Sequence, residues 1–326
     1  MCRNQSAPTS GDINNSTNQT AYIMIKRFIA AALVAAFTVT GANAQLLYKI
    51  SGKDLKAPSY IIGTHHLANV GFVDKIPGVK DALTNTEQVY GEVKWDVMTN
   101  TDSLKVMQEA MMLPDGKTLK TVLSAEQYKK LDAFIKQMMS VGLDNPQVNA
   151  QMGRLSPAAL NTQLTVLLYL QKHMGEYDPS SSFDQYFQAQ AKNNNEPVGG
   201  LETMAFHTQL LYKSVPLKRQ VELLMCFLDN LEFNEEMMEK ITEAFYAQDL
   251  DGMKAAMDMK LGNTCDATPE EMAQLIDNRN ADWAAKMPAI MAAKPTFFAV
   301  GAGHLAGPKG VLQLLKDSGY TVEAVK

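Results

Sequence analysis

Residues 61–67, IIGTHHL, place two of the chain's five histidines side by side where an apolar run gives way to a turn. The apolar residues before Gly63 predict a β-strand, and the glycine predicts the turn that ends it. A strand that ends in this way carries the imidazole of His66 to the carboxyl edge of a sheet, where α/β-type folds tend to build their sites. We therefore predict a strand here, with His66 as a candidate site residue and Gly63 and His65 as neighbours that shape the site.

The same pattern recurs near the other end of the chain. Residues 298–304, FAVGAGH, repeat Gly-x-x-His from Gly301 to His304, with Gly303 inside the turn. Gly-x-x-His occurs by chance in many chains, but its repetition after two strand-like runs favours a shared role. If the two strands are neighbours, folding brings His66 and His304 together.

Two further strand-like runs each end in a carboxylate. Residues 88–93, QVYGEV, contain Glu92, and residues 196–202, EPVGGLE, end in Glu202. Two imidazoles with one or two carboxylates suit a divalent ion such as Mn, Co or Zn, and they leave coordination positions for water. An ion in such an open site makes hydroxide available near neutral pH and polarises a carbonyl group.

Each of these residues also has a plainer interpretation, because a lone histidine or glutamate at a strand end is more often a surface or hydrogen-bonding residue. His207 and His173 are predicted to be structural, since His207 follows Glu202 by five residues and His173 lies near the end of an apolar-rich helix. The sequence contains no Gly-x-Ser-x-Gly elbow, His-Glu-x-x-His, phosphate-binding loop or dinucleotide fingerprint. Nothing in it nominates a serine or cysteine nucleophile.

Strand-like runs are confined to the two ends of the chain, while the middle has the 3.6-residue apolar period of helices. This distribution predicts an α+β (mixed α/β) fold, with a central mixed sheet built from N- and C-terminal strands around a large helical insert at about 103–292. The strands are predicted at 46–50, 59–64, 88–93, 196–202, 295–301 and 320–325, the first two forming a hairpin. The helices are predicted at about 103–113, 124–141, 156–175, 182–193, 202–212, 216–230, 234–247, 249–261, 268–292 and 307–318.

The N-terminal segment is predicted to be removed from the folded protein. Residues 24–44 have a positive start, an apolar stretch and a small-residue Ala42-Asn43-Ala44 end, which is typical of a signal peptide. The apolar stretch is shorter than the ~20 residues of a membrane-spanning helix, so we expect export to the periplasm or the medium and no stable membrane span after cleavage. Residues 1–23 are an upstream extension or reflect a start set too early, and residues 45–326 form a single domain.

Charge and cysteine content bear on partners and compartment. The net charge of −5 and the short, scattered basic clusters argue against a nucleic-acid partner. Cys226 and Cys265 lie in the predicted mature chain, where an oxidising compartment favours a disulfide. The alternative is that Cys226, within the apolar run 221–228, is a buried free thiol.

Several stretches spread over nearly the whole predicted mature chain carry a family resemblance. They are LLYKISGKDLKAPSYIIGTHHL at 46–67 with the first Gly-x-x-His motif, YGEV around Glu92, GLET at 200–203, Arg279-Asn280 upstream of Met287, and FFAVGAGHLAGPKGVLQLLKDSGYTVEAV at 297–325. On these residues the chain resembles the TraB/GumN proteins, whose more distant animal relatives include the Tiki metalloproteases. The helical middle matches in pattern alone.

The resemblance implies a mixed sheet with a helical insert and metal-dependent peptide hydrolysis. It makes His66 and His304 metal-binding or catalytic residues, and Glu92 the carboxylate ligand or the general base. Glu202 and Arg279 match further family positions, and an arginine there would steady an oxyanion or hold a carboxylate. His65 ranks below His66, because many relatives carry a different residue at its position.

Function does not follow from fold, so other activities stay open at this point. The first prediction is an exported metal-dependent hydrolase, a peptidase, with a peptide or protein substrate. The first alternative is a non-enzymatic exported protein that binds a peptide or signal molecule with the same strand-end cluster. The second is a protein that handles metal or haem on the same fold.

Overall fold

Five strands from the two ends of the chain and one short strand from its middle form one six-stranded mixed sheet. The computed structural model describes residues 45–95, 100–175 and 182–326, so the predicted signal peptide and the segment before it lie outside the described residues. The strand order is β4-β3-β5-β2-β1-β6. The strands are β1 (Leu47–Ser51), β2 (Ser59–Thr64), β3 (Gln88–Gly91), β4 (Val198–Gly200), β5 (Thr296–Gly301) and β6 (Thr321–Ala324).

Strand directions determine where a site can form. β1 pairs antiparallel with β2, which confirms the predicted hairpin, and β6 pairs antiparallel with β1. β2, β5, β3 and β4 are parallel to one another, so their carboxyl ends meet at one edge of the sheet. Thr64 lies opposite Gly301 across β2 and β5, so the two Gly-x-x-His motifs leave adjacent strands.

Gly63 allows the two motifs to pack closely. A Cβ atom added at Gly63 would lie 2.8 Å from the Cβ of Ala302, the first residue after β5. Real Cβ atoms do not approach so closely, so a larger residue would push the turn after β5 away from β2. The glycine of the first motif therefore sets the position of the turn that carries His304.

Helices fill the rest of the chain, and the prediction of an α+β fold is confirmed. The ten predicted helical segments all contain helix, whereas the four-to-seven-residue helices α1, α3 and α5 were not predicted because they are too short to show a period. The helices are α1 (Val79–Thr84), α2 (Thr101–Met111), α3 (Leu119–Val122), α4 (Ala125–Met139), α5 (Pro146–Met152), α6 (Pro157–Lys172), α7 (Phe183–Asn193), α8 (Met204–Lys213), α9 (Leu217–Asp229), α10 (Leu231–Tyr246), α11 (Leu250–Met257), α12 (Pro269–Met272), α13 (Asn278–Ala293) and α14 (Val311–Asp317).

The long helical segment near the C-terminus is interrupted by a π-helical turn. It begins at α12 with a capping box, in which Thr268 and Glu271 exchange side-chain to backbone hydrogen bonds. The π-helical turn Ala273–Asp277 then joins α12 to α13. Such turns are rare and occur often at functional sites. Asn278, Arg279 and Asn280 follow the π-helical turn Ala273–Asp277.

The apolar side chains divide into two clusters. One surrounds the sheet and includes the fully buried Trp283, Phe297 and Phe298. The other lies within the helical insert and includes Leu131 and Leu160. Among the described ranges, no helix combines the length and the apolar character needed to cross a membrane.

Cys226, in α9, and Cys265, in the segment after α11, form a disulfide. Of the two interpretations left open by the sequence, the structure therefore has the paired one. The bond links residues 39 apart and ties the end of α9 to the chain that precedes α12.

Removal of this disulfide should lower the free energy of unfolding. In the chain-entropy model, a cross-link over 39 residues lowers the entropy of the unfolded chain and so raises its free energy by about 4 kcal/mol. We expect the urea midpoint of the wild-type protein to fall when dithiothreitol is added. The Cys226→Ala/Cys265→Ala double variant should match the reduced protein and should not respond to dithiothreitol. Equal midpoints for the oxidised and reduced wild-type protein would contradict this expectation.

Candidate functional site

The site lies at the edge of the sheet where the four parallel strands end. Glu92 follows β3 and Glu202 follows β4, while His304 closes the 3-10 turn Ala302–His304 after β5. His66 lies two residues beyond the end of β2. The four residues that the sequence places after strands therefore lie at the same edge of the sheet.

Arg279 of α13 joins three of these strand ends. Its guanidinium is buried, with 4% of the side chain exposed, and it donates from Nη2 to Glu92 Oε2 at 2.6 Å. Nε and Nη2 donate to the two oxygens of Glu202, at 3.0 and 2.8 Å. Nη1 lies 3.0 Å from Nε2 of His304 and 3.1 Å from the carbonyl oxygen of Leu275 in the π-helical turn. All five N–H groups of the guanidinium thus have partners.

These contacts fix the protonation of His304. Arg279 can only donate, so His304 Nε2 accepts and its proton lies on Nδ1. Nδ1 lies 2.7 Å from Oδ1 of Asn280, whose own Nδ2 donates to the carbonyl oxygen of Lys309 and so holds the amide in that orientation. Burial, reinforced by the charge of Arg279, lowers the pKa of His304 to about 4. His304 is therefore a neutral acceptor at neutral pH.

Glu92 is held as a carboxylate. Burial opposes its ionisation. The charge that His304 carries when protonated, the charges of Arg279 and His66, and the N–H of Gly301 together outweigh burial and lower the pKa of Glu92 to about 2. Its Oε1 accepts from Gly301 N at 2.8 Å and lies 4.0 Å from Nε2 of His304. A Cβ at Gly301 would lie 3.1 Å from the same oxygen, so this glycine lets the carboxylate lie against the strand end.

Glu202 is the most enclosed of the acidic groups, with 2% of its side chain exposed. Besides Arg279, it accepts from Nε1 of Trp283 at 3.3 Å and lies 2.5 Å from Nδ1 of His207. The Trp283 ring also packs against the Arg279 guanidinium, at 4.7 Å, and against the His304 ring, at 4.5 Å. Burial opposes ionisation of Glu202, but His207 and Arg279 outweigh it and lower the pKa of this carboxyl.

His207 was set apart from the site by the sequence, and the structure places it beside Glu202. The spacing argument assumed one regular helix, but Glu202 precedes α8 and Thr203 caps it, so the two residues do not share a helical face. One ligand atom from each of Glu92, Glu202 and His207 lies within 4.8 Å of the others. This grouping differs from the predicted set of His66, His304 and Glu92.

His66 has a partner that the sequence did not indicate. Its Nδ1 lies 2.6 Å from Oδ2 of Asp184, in the first turn of α7, and Oδ1 of the same carboxylate accepts from the Thr64 hydroxyl at 2.6 Å. The Asp184 carboxylate raises the pKa of His66 to about 9. The His66 side chain is 71% exposed, so its ring lies on the open side of the site.

His65 and Gly303 support the site from behind. The His65 ring packs against Phe245, with ring centroids 5.4 Å apart, and its Nδ1 accepts from the backbone N–H of Leu67. Burial lowers the pKa of His65 to about 4. A Cβ at Gly303 would lie 2.5 Å from Cε of Met257, so the turn that carries His304 lies directly on α11.

The donor types of the predicted ligand set suit a divalent ion, although among the described residues the ligand atoms of His66, His304 and Glu92 do not all lie within 4.8 Å of one another. In both His66 and His304 the Nδ1 atom is engaged by an oxygen of a fixed partner, Asp184 or Asn280, so Nε2 is the atom left to ligate. Metal-binding histidines are usually oriented in this way. His304 Nε2 would exchange its hydrogen bond from Arg279 for the ion. Two imidazole nitrogens and the Glu92 carboxylate leave positions open for water and substrate.

The chain is similar to three proteins named as metalloproteases. The metalloprotease TIKI homolog of Nematostella vectensis is 22% identical over 82% of this chain and 65% of its own length. Metalloprotease TIKI2 of Danio rerio is 22% identical over 82% of this chain and 58% of its own length, and that of Xenopus tropicalis is 23% identical over 82% and 57%. The chain thus spans 65% or less of the length of these relatives.

The sequence pattern of the TraB/PrgY/gumN family matches residues 46–324, which run from the residue before β1 to the end of β6. The matched range includes both Gly-x-x-His motifs, Glu92, Glu202 and Arg279. The chain therefore belongs to the TraB/PrgY/gumN family.

Proposed function

We propose that this protein is an exported metal-dependent hydrolase that cleaves peptide bonds. The observation that carries the proposal is the gathering of Glu92 and His304 around Arg279 at the sheet edge from which His66 also emerges. The similarity to proteins named as metalloproteases supports the same activity. Because those relatives are longer than this chain, activity and substrate are assigned here as a hypothesis.

His66, His304 and Glu92 would hold the ion. A divalent metal there would supply Lewis-acid chemistry, that is, activation of water and polarisation of a carbonyl group. The low pKa of Glu92, about 2, favours a role as ligand over a role as general base, because an efficient base has a pKa near the working pH. The neutral His304 offers a lone pair on Nε2 without first losing a proton.

Arg279 is the group best placed to stabilise negative charge on a substrate oxygen. Its Nη2 and Nε are committed to Glu92 and Glu202, which hold the guanidinium in position. Its Nη1 lies against His304 Nε2, the atom assigned to the ion. An N–H released from that contact can donate to a carbonyl oxygen whose charge grows during hydrolysis.

Export is part of the proposal. It is based on the signal-peptide pattern at 24–44, which lies outside the described residues. The disulfide between Cys226 and Cys265 is consistent with an oxidising compartment. A periplasmic or extracellular location follows.

One observation favours a second function, the binding of a peptide or signal molecule without cleavage. A cavity of about 550 Å³ beside the disulfide is lined by five methionines, whose flexible side chains adapt to different apolar groups. Asn161 lines the same cavity, and its buried Oδ1 has no hydrogen-bond partner among the described residues. A peptide N–H would supply that donor. Peptide binding that survives both chelation and Glu92→Ala would favour this function over hydrolysis.

Loss of the assigned ligands should abolish metal uptake and turnover together. We expect chelator-stripped wild-type protein to take up Mn, Co or Zn in calorimetric titration, and to hydrolyse peptides from a fluorogenic library. His66→Ala and His304→Ala should lose both properties, because each removes one of the two imidazole ligands. His173→Gln is the matched control, because His173 pairs with Glu239 in the helical insert and should leave both properties unchanged. The proposal is wrong if the wild-type chain binds no divalent ion and the His66→Ala/His304→Ala variant keeps its activity.

The free energy of unfolding should fall in mild acid because of His304. Burial holds its pKa at about 4 rather than 6.5, so below pH 6.5 the unfolded chain takes up a proton that the folded chain does not. Above pH 6.5 the imidazole is neutral in both states, and the shift leaves the free energy of unfolding unchanged. As the pH falls from 6.5 to 4, the free energy of unfolding decreases by at most about 3 kcal/mol. His65 acts in the same direction.

Urea midpoints measured from pH 7.5 to 4.5 test this prediction. His304→Gln should show a shallower decline than the wild-type protein, and His65→Gln a similar change. Identical pH profiles for the wild-type protein and His304→Gln would refute the assignment of a buried neutral imidazole at His304.

A further inference from the structure

The contact between His66 and Asp184 joins the sheet edge to the helical insert. His66 Nδ1 and Asp184 Oδ2 are 2.6 Å apart, and the two residues are 118 positions apart in the sequence. The Asp184 side chain is 17% exposed, whereas that of His66 is 71% exposed. The Nδ1 side of the imidazole ring is therefore held by Asp184, and the rest of the ring is open to a ligand.

The Asp184 carboxylate is itself held on both sides. Its Oδ1 accepts from the hydroxyl of Thr64, the residue that follows Gly63 in the first Gly-x-x-His motif. Its backbone is fixed because α7 packs into the sheet core: Phe183 and Phe187 are fully buried, and Phe187 stacks on Phe297 of β5 at 5.0 Å. The carboxylate therefore has a defined position from which to orient a ring.

The second motif uses the same arrangement with a different partner. His304 Nδ1 meets Oδ1 of Asn280, and the amide is anchored at Lys309 O, much as the carboxylate of Asp184 is anchored at Thr64. In both histidines an oxygen from a helix outside the sheet engages Nδ1, which leaves Nε2 as the nitrogen that could ligate an ion. Such a partner fixes the tautomer and the orientation of a ligating imidazole.

We propose that Asp184 is the positioning residue for His66, with the Thr64 hydroxyl holding the Asp184 carboxylate in place. Asp184 acts through His66 and does not touch the substrate. It fixes the proton of the imidazole on Nδ1 and presents Nε2 to the ion. This inference rests on the proposed function, because it assigns a purpose to the orientation of a ligand of that same site.

Two measurements on the full chain test the proposal. The first is the affinity for Zn and Co by calorimetry. The second is the ¹⁵N chemical shifts of the His66 ring nitrogens in protein without added metal, recorded at a pH above the His66 pKa of about 9, where the ring is neutral and has a single N–H. Asp184→Asn keeps the shape of the side chain but removes its charge. The Asn280 amide is held by the carbonyl oxygen of Lys309, whereas an amide at position 184 would face the Thr64 hydroxyl, which can donate or accept, so nothing would keep the amide oxygen toward His66 Nδ1. We expect a loss of about 10- to 100-fold in metal affinity and a changed pair of ring-nitrogen shifts.

Companion variants separate positioning from charge and from folding. Asp184→Glu keeps the charge but moves the carboxylate by one methylene, so it should not restore the affinity. Thr64→Val removes only the hydroxyl and should lower the affinity less than Asp184→Asn does. Asp81→Asn, an exposed aspartate in the first turn of α1, is the matched control and should bind metal like the wild-type protein.

The outcomes are distinct. Wild-type affinity and unchanged ring-nitrogen shifts in Asp184→Asn would overturn the inference, and full rescue by Asp184→Glu would show that charge and not position matters. If the wild-type chain takes up no ion, the proposed function fails, and the ring-nitrogen shifts alone then decide whether Asp184 fixes the tautomer. Should Asp184→Asn fail to fold, the metal affinity and the ring-nitrogen shifts of Thr64→Val test the inference instead.

Discussion

The buried guanidinium of Arg279 is the interaction on which the site depends. A buried cation is tolerated only when it is paired and fully hydrogen-bonded, and the five N–H groups of Arg279 meet that condition through Glu92, Glu202, His304 and Leu275. These partners follow β3, β4 and β5 or lie in the π-helical turn. Arg279 therefore holds together three strand ends and a helix that the chain connects only through long segments.

The positions of the strand ends could be predicted from the sequence, because both signals for them are local. An apolar run followed by glycine specifies where a strand stops, and the parallel pairing of β2, β5, β3 and β4 brings the residues after each strand to one edge. Glu92 and His304 were found in this way. Gly63 could be identified from its motif, but its contact with Ala302 is a property of the packed turn.

The partners of these residues could not be predicted, because they come from helices whose relative placement has no local signature. Asp184 lies in an ordinary first turn of α7, where an acidic residue is expected for the helix dipole alone. Asn280 and Trp283 lie on α13, where the helical period shows that a face is buried but not what it meets. The contact between His207 and Glu202 was not predicted, because Glu202 precedes α8 and Thr203 caps that helix, so helical spacing does not describe the pair.

The count of charges gives a physical reason for a cation at this edge of the sheet. Two carboxylates, Glu92 and Glu202, share the single positive charge of Arg279, and the charge of His66 is balanced by Asp184. These groups together carry one negative charge in a largely buried setting, and an unbalanced buried charge is costly. To ligate an ion, the His66 imidazolium would release its Nε2 proton, and the named groups would then carry two negative charges, which a divalent ion beside Glu92 would offset. The same electrostatics that holds Arg279 between the two carboxylates thus also favours the proposed metal site.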